Sequence, residues 1–491
     1  MKFIKKHIWL ILVIALNFAV VLYPVVLTSL PITQTDGLTY FMTSKYLAET
    51  GDFFAELPDY IPAKGDEATH INEFLPVPIV YMALMIKITG ERFVLNGGAL
   101  GLLFVLSNIY LYLFAEKLTN NKAAALVTTL LSAISFRFYY LFWGGNWANV
   151  CAMILSVPAL YYALDYLRGN KIKDLILMSV FLLLTAGSHT VHFLFTALLI
   201  AALFIGVKVL KNTELKLPEI KLKVGSLAEK TLKSGVAIFL IVSAAFLVTF
   251  IPFALAGTRT YWVSEWINYM LALDKVPNFW HYGAIADCSI IIILGMLGLI
   301  YAIYKQKWEI ATLGIMSFVI VNITNFLVPD DVWLSLFIYR YQAFHFIVLA
   351  LLSSYFAFEI SSKEPKLRKL MIALMTLAVL SHVAKTGYVM YKIEPAITED
   401  EYSAVEYMQE TGEGFWLINN IETDSSFRSY EWILAYGDSD KTKRSEEINT
   451  SALAEPYIIV QDTEALSSDE LTLIKDYEEV AEFGTVTIFK K

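Results

Sequence analysis

The chain has 491 residues, of which 57% are hydrophobic, 14% aromatic and only 17% charged, and its net charge is −8. A mean hydropathy of +0.56 and a charged fraction well below the roughly 25% of soluble domains exclude an ordinary water-soluble protein. Apolar runs of about 20 residues recur through the first four-fifths, so the chain reads as an all-α polytopic membrane bundle.

The first of these runs, 8–30, is too long for a secretory h-region and shows no convincing small-residue cleavage site, so it is expected to remain as the first span. Further spans are expected near 93–115, 123–142, 147–167, 174–188, 190–210, 235–256, 285–304, 308–328, 334–359 and 369–389, about eleven in all. Their connections alternate in character. One set is basic: Lys2, Lys5 and Lys6; Lys117 and Lys122; Arg168, Lys171 and Lys173; the seven lysines of 208–233; Lys305 and Lys307; Lys363, Lys366, Arg368 and Lys369. The other set is acidic, aromatic or nearly uncharged, and the positive-inside rule assigns the basic set to the cytoplasm. The stretch 74–90 would break this alternation if it crossed. Its ~16 residues make about 24 Å of helix, short of a hydrocarbon core of roughly 30 Å, and Pro76 and Pro78 interrupt its first turn. It is therefore expected to lie at, or dip into, the outer face. This arrangement puts the N-terminus inside and a long first loop, 31–92, outside.

The net charge hides an asymmetry. Residues 393–491 hold 23 Asp/Glu against 7 Lys/Arg, a balance of −16 that leaves +8 for the rest. A basic transmembrane part, 1–390, thus carries an acidic, water-facing domain, 391–491, outside the membrane. Helix-like "EDEYSAVEYMQETG" and "SDELTLIKDY" alternate there with strand-like "FWLIN", "PYIIVQD" and "VTIFK", the pattern of a small α/β domain. The basic residues of the membrane part are scattered through short loops and form no patch, which excludes nucleic acid as a partner. No Walker loop or dinucleotide fingerprint is present, which argues against a soluble nucleotide donor. Cys151 and Cys288 lie in or beside apolar stretches and offer neither a zinc spacing nor a disulfide framework.

Function is sought in the long first loop. Asp36 leads an amphipathic helix over 37–50 that stops at Gly51. Its carboxylate suits an N-cap, and Gly51 suits the matching C-cap. The same carboxylate, held rigidly where membrane meets water, suits a general base acting between a lipid substrate and an aqueous one.

"TDGLTYFMTSKYLAETGDFF" followed by "HINEFLPVPIVYMALMIKITG" resembles the first outer loop of the GT-C superfamily of membrane glycosyltransferases, such as protein O-mannosyltransferases and aminoarabinose transferases. The shared features are Asp36 just after the first span, Tyr40 on the next helix, the Gly51-Asp52 turn, the Pro76/Pro78 lead-in and Gly90 at the end of a membrane-hugging helix. There are departures: Gly37 stands where many relatives carry a second acidic residue, and Leu75-Pro76-Val77-Pro78 replaces a Lys-Pro-Pro pattern. The Trp-Trp-Asp-Tyr-Gly motif of oligosaccharyltransferase catalytic subunits is missing, which points to transfer of a single sugar.

The resemblance implies a GT-C-like bundle, a polyprenyl-phosphate-linked sugar donor and a lipid, glycan or protein acceptor. It leaves room for a divalent cation but implies no certain cofactor. Asp36 would be the base, and outward cations would hold the lipid phosphate. Arg340 is embedded in an apolar run near the outer end of its span, where it either snorkels or meets a phosphate. Arg259 and Lys275 flank an aromatic outer loop whose Trp and Tyr suit an interfacial belt. His70 and Glu73 precede the dipping helix, as acceptor-orienting groups or ordinary loop residues. His189 and His192 are spaced as a metal pair without a third local ligand and read as structural; Asp330-Asp331 offers two carboxylates to a divalent cation, though such an adjacent pair is usually just solvated. Two other functions remain open: a transporter or flippase of lipid-linked saccharide, and a non-catalytic cell-surface assembly protein of the same fold. The sequence shows no internal repeat and few mid-span ionisable residues, features a transporter usually has.

Overall fold

The computed structural model describes residues 2–27, 35–58, 61, 70–143, 145–210, 289–327, 332–391, 398–418, 442–445, 448 and 452–491. Its membrane part is built from helices α1 (Lys2–Leu27), α2 (Thr35–Thr50), α3 (Pro76–Thr89), α4 (Glu91–Leu95), α5 (Gly98–Thr119), α6 (Lys122–Ala133), α7 (Phe136–Trp143), α8 (Trp147–Gly169), α9 (Ile172–Ala186), α10 (Thr190–Phe204, continued by a π-helical turn to Leu210), α11 (Ser289–Tyr304), α12 (Trp308–Leu327), α13 (Val332–Lys363) and α14 (Pro365–Tyr391). Among the described residues six segments are long and apolar enough to cross a membrane: His7–Leu27, Gly98–Thr119, Trp147–Gly169, Thr190–Leu210, Ala343–Lys363 and Pro365–Tyr388. Pro76–Thr89, Lys122–Ala133, Ile290–Tyr304 and Trp308–Ile320 are shorter apolar helices. The span expected over 235–256 lies outside the described residues.

The run 123–142, expected as one helix, is two. The helix stops at Ile134, whose φ of −113° leaves the helical range, and α7 begins at Phe136. The break leaves the Ile134 carbonyl accepting from Thr386 Oγ1 of α14 at 2.6 Å. In lipid such a carbonyl needs a protein partner, and α14 supplies it.

Buried polar groups pair the helices they stand on. Asn17 of α1 donates to the Tyr139 hydroxyl of α7 at 3.1 Å, and Asn108 of α5 donates to Asn17 Oδ1 at 2.9 Å. Such bonds hold helices together where lipid provides no hydrophobic drive. Between α11 and α13 the backbones nearly touch, because a Cβ on Gly298 would lie 2.2 Å from the Leu352 carbonyl oxygen. Only glycine fits there.

Most of the charged contacts that join these helices gather at one end of the bundle. Lys117 pairs with Asp165, Arg168 pairs with Glu309, and Lys208 donates to Asn170 at 3.1 Å. Lys363 donates to the Tyr301 hydroxyl at 3.1 Å. The first loop packs at the opposite end.

The C-terminal part holds α15 (Glu399–Thr411), α16 (Ser468–Leu473) and strands β1 (Phe415–Ile418), β2 (Thr442–Ser445), β3 (Tyr457–Val460), β4 (Glu478–Phe483) and β5 (Val486–Lys490). They form one sheet in the order β2-β1-β3-β5-β4, with β1 parallel to β2 and β3, and β5 antiparallel to β3 and β4. Alternation along the strands feeds two cores. Phe415, Leu417, Tyr457 and Ile459 pack on Ala404, Val405 and Met408 of α15, while Ile418, Ile458 and Val460 pack with Ile448, Leu466 and Ile474.

Candidate functional site at the loop end of the bundle

Helix α2 begins at Thr35, so Asp36 stands inside its first turn and not ahead of it as a cap. One turn further along, Tyr40 meets Phe74 edge-on, with ring centroids 6.2 Å apart, and packs against Leu75 and Ala148. The inner face of α2 buries Leu38, Phe41 and Met42. Lys45 ties the helix to α4 through Glu91 at 3.2 Å, so this lysine already has a partner. Gly51 ends α2 with φ of +70°, its N–H bonded to Leu47 O at 2.9 Å, as the sequence suggested.

The return strand of the loop is pinned by an antiparallel bridge between Glu56 and His70 and by Ile71 N–H donating to Ala55 O at 3.1 Å. Glu73 is buried at 6% exposure, with His70 Nδ1 3.7 Å from its Oε1. No local pattern around Glu73 marks this burial. A short 3₁₀ turn, Ile71–Glu73, then delivers Phe74 and Leu75 to Tyr40, and Pro76 opens α3. Proline suits that first helical position because its missing N–H has no partner to lose.

Helix α3 is fastened to the turn between α9 and α10, where Val77 N–H donates to Gly187 O at 3.1 Å. Next to it lie buried Ser188, with Cys151 Sγ 3.4 Å from its hydroxyl, and His189, whose ring caps α10. The His189 and His192 rings meet edge-on at 5.4 Å, and His192 meets Phe344 of α13 at 6.2 Å. Arg340 lies on α13 one turn N-terminal to Phe344. A continuous arc thus runs from α2 through the start of α3 and the α9–α10 turn to α13, with Asp36 and Arg340 near its two ends by their places on the helices. Arg259, Lys275, Asp330 and Asp331 lie outside the described residues.

Sequence reasoning missed Asn149. It is 5% exposed and its Oδ1 has no hydrogen-bond partner among the described residues. Two turns before Ser156, it shares the stripe of α8 that meets α10, where the Ser156 and Thr196 hydroxyls lie 2.7 Å apart. The available signal was a carboxamide in the first turn of an apolar span. Among the described residues no three His, Cys, Asp or Glu side chains gather as a metal site.

No protein-family model matches the chain, and no curated protein matches its sequence. Solved structures do. The Archaeoglobus fulgidus oligosaccharyltransferase in complex with Zn and sulfate is 13% identical, with a TM-score of 0.59 over 94% of this chain and 69% of that one. The same organism's AglB, in complex with an inhibitory peptide and a dolichol-phosphate, gives 13% and 0.57 over 93% and 70%. ArnT from Cupriavidus metallidurans, bound to undecaprenyl phosphate, gives 9% and 0.54 over 98% of both chains. The chain shares the fold of these solved structures, and its long apolar helices make it a multi-pass membrane protein.

Proposed function

We propose that the chain is an inverting glycosyltransferase that moves a single sugar from a polyprenyl-phosphate donor to an acceptor at the outer membrane face. In this reading Asp36 takes the proton of an acceptor hydroxyl as its oxygen attacks the anomeric carbon. The bond from that carbon to the phosphate oxygen breaks in the same displacement, and the polyprenyl phosphate leaves with the electron pair. Arg340, with Arg259 and Lys275, stabilises the leaving phosphate. Tyr40, His70 and Glu73 shape the acceptor side, and 391–491 forms a separate extracytoplasmic domain.

The observation that carries the reading is the arc joining α2 to α13. It sets a carboxylate position and a guanidinium position on elements packed at one end of the bundle, away from the basic end. Two proteins of the same fold were solved with dolichol-phosphate and undecaprenyl phosphate, which supports a polyprenyl-phosphate donor here. The absent Trp-Trp-Asp-Tyr-Gly motif supports single-sugar transfer.

The test is sugar transfer by Asp36→Asn from a panel of undecaprenyl- and dolichyl-phosphate sugars, with and without chelator. Asparagine keeps the size and removes the proton acceptor, so transfer is expected to fall about 100-fold or more with melting unchanged. Near wild-type transfer would overturn the assignment of the base. Loss on chelation alone would show a requirement for a divalent cation.

A further inference from the structure

At the basic end, remote from the arc, α5, α8 and α9 enclose a cleft of about 460 Å³. Its floor is a stripe of α5 made by Leu106, Ile109 and Leu113, spaced for one helix face and running along about 10 Å of helix. Leu106, at the end of the stripe nearer mid-helix, is 54% exposed. The other end of the cleft is polar, with Asp165 from α8 and Lys173 and Asp174 from α9.

The charges at this mouth are unequally committed. Lys117 already pairs with Asp165 and donates to the Tyr161 hydroxyl at 2.8 Å. Neither Lys173 nor Asp174 has an ion pair among the described residues. Tyr110 and Tyr162 brace the wall, their hydroxyls 3.1 Å apart, and the Tyr162 ring stacks on Phe181 at 5.8 Å. Tyrosines between an apolar slot and a charged rim mark the level of lipid headgroups. An apolar slot about 10 Å long suits part of an acyl chain. A headgroup bearing only a phosphate would meet two carboxylates, and one bearing only an amine would meet Lys173.

We propose that the cleft seats one phospholipid whose headgroup joins a phosphate to a terminal ammonium, with Lys173 taking the phosphate, Asp174 the ammonium and the Leu106–Leu113 stripe an acyl chain. This site is independent of glycosyl transfer. The full-length protein, reconstituted with equal phosphatidylethanolamine and phosphatidylglycerol, is examined by native mass spectrometry. One retained phosphatidylethanolamine per chain is expected, in preference to phosphatidylglycerol. Lys173→Gln and Asp174→Asn are each expected to lower its occupancy about tenfold, the scale of one charge-assisted contact. Leu106→Trp is expected to displace it while the protein melts as wild type. Because Lys173 and Leu106 are exposed, these changes leave the helix packing intact. Equal retention of both lipids overturns the proposal. So does wild-type retention in both Asp174→Asn and Leu106→Trp, the result expected if another segment of the chain covers the cleft.

Discussion

Val77 N–H donates to Gly187 O at 3.1 Å, and a Cβ on Gly187 would stand 2.8 Å from Val77 Cγ2. The first loop is thereby seated on the α9–α10 turn with no room to spare. Gly187→Ala should push α3 off this seat at an overpacking cost of about 1–3 kcal/mol and slow sugar transfer. Val77→Ala in the same chain should restore both, because it removes the methyl group that clashes. A double variant no better than Gly187→Ala would show that the glycine matters for another reason. Thermal melting with a parallel transfer assay makes the check.

Arg340 is expected to bind the lipid phosphate. An unpaired guanidinium is disfavoured by about 2.5 kcal/mol or more at the centre of a span and by less toward its end, and a phosphate partner relieves that cost. Arg340→Lys keeps the charge but loses the planar donor fork, so polyprenyl-phosphate affinity should weaken about tenfold, and Arg340→Ala should do worse. Titration of the purified protein with undecaprenyl phosphate reads this out. If both variants bind like wild type, the phosphate site moves to Arg259 or Lys275.

What could be read from the sequence was what neighbouring residues decide. Gly51 and Gly90 end their helices at positive φ, +70° and +86°, and Pro76 starts one. The strands "FWLI", "YIIV" and "VTIFK" carry apolar residues on both faces of a covered sheet and stood out for that reason. β4, "EEVAEF", did not. It is an edge strand, half-exposed and bulged between Glu479 and Ala481, so its sequence reads as polar. The break at Ile134 depends on a threonine 252 residues away, and no local window contains it. Burial of Glu73 and Asn149 likewise comes from packing between distant helices. The candidate site was legible only as a loop carrying Asp36; the arc of contacts from α2 to α13 is tertiary and no local window contains it.

Acid should loosen the C-terminal sheet domain through Glu470. Burial pushes its pKa up, but the Ser467 hydroxyl and the Ser467 and Ile448 amides outweigh burial and hold it below the ordinary glutamate value of 4.5. A folded pKa below the unfolded one contributes stability that is present above about 4.5 and lost as pH falls through the lower folded value. The Ile448 amide, which donates to Glu470 Oε1 at 3.1 Å, reports this directly. Its hydrogen-exchange protection should drop on acidification below 4.5, once intrinsic exchange is corrected for. Glu470→Gln should show weaker protection at neutral pH and lose that pH dependence.

Membrane orientation is predicted from which end of the bundle carries the lysines. Lys117, Arg168, Lys208 and Lys363 make their contacts at one end, and the first loop packs at the other. By the positive-inside rule the lysine end is expected in the cytoplasm. Helix α14 starts there, just after Lys363, and runs to Tyr391, so the sheet domain beyond it is expected outside. Lys475 is exposed on that domain. Native Cys151 is buried at 0% exposure, so a Cys288→Ala background leaves a single reactive thiol in Lys475→Cys. An impermeant maleimide should label it in intact cells, whereas Lys171→Cys, exposed at the basic end, should label only after lysis. The reverse pattern would turn the whole bundle over and put Asp36 in the cytoplasm, where an outward-facing lipid-linked donor is out of its reach.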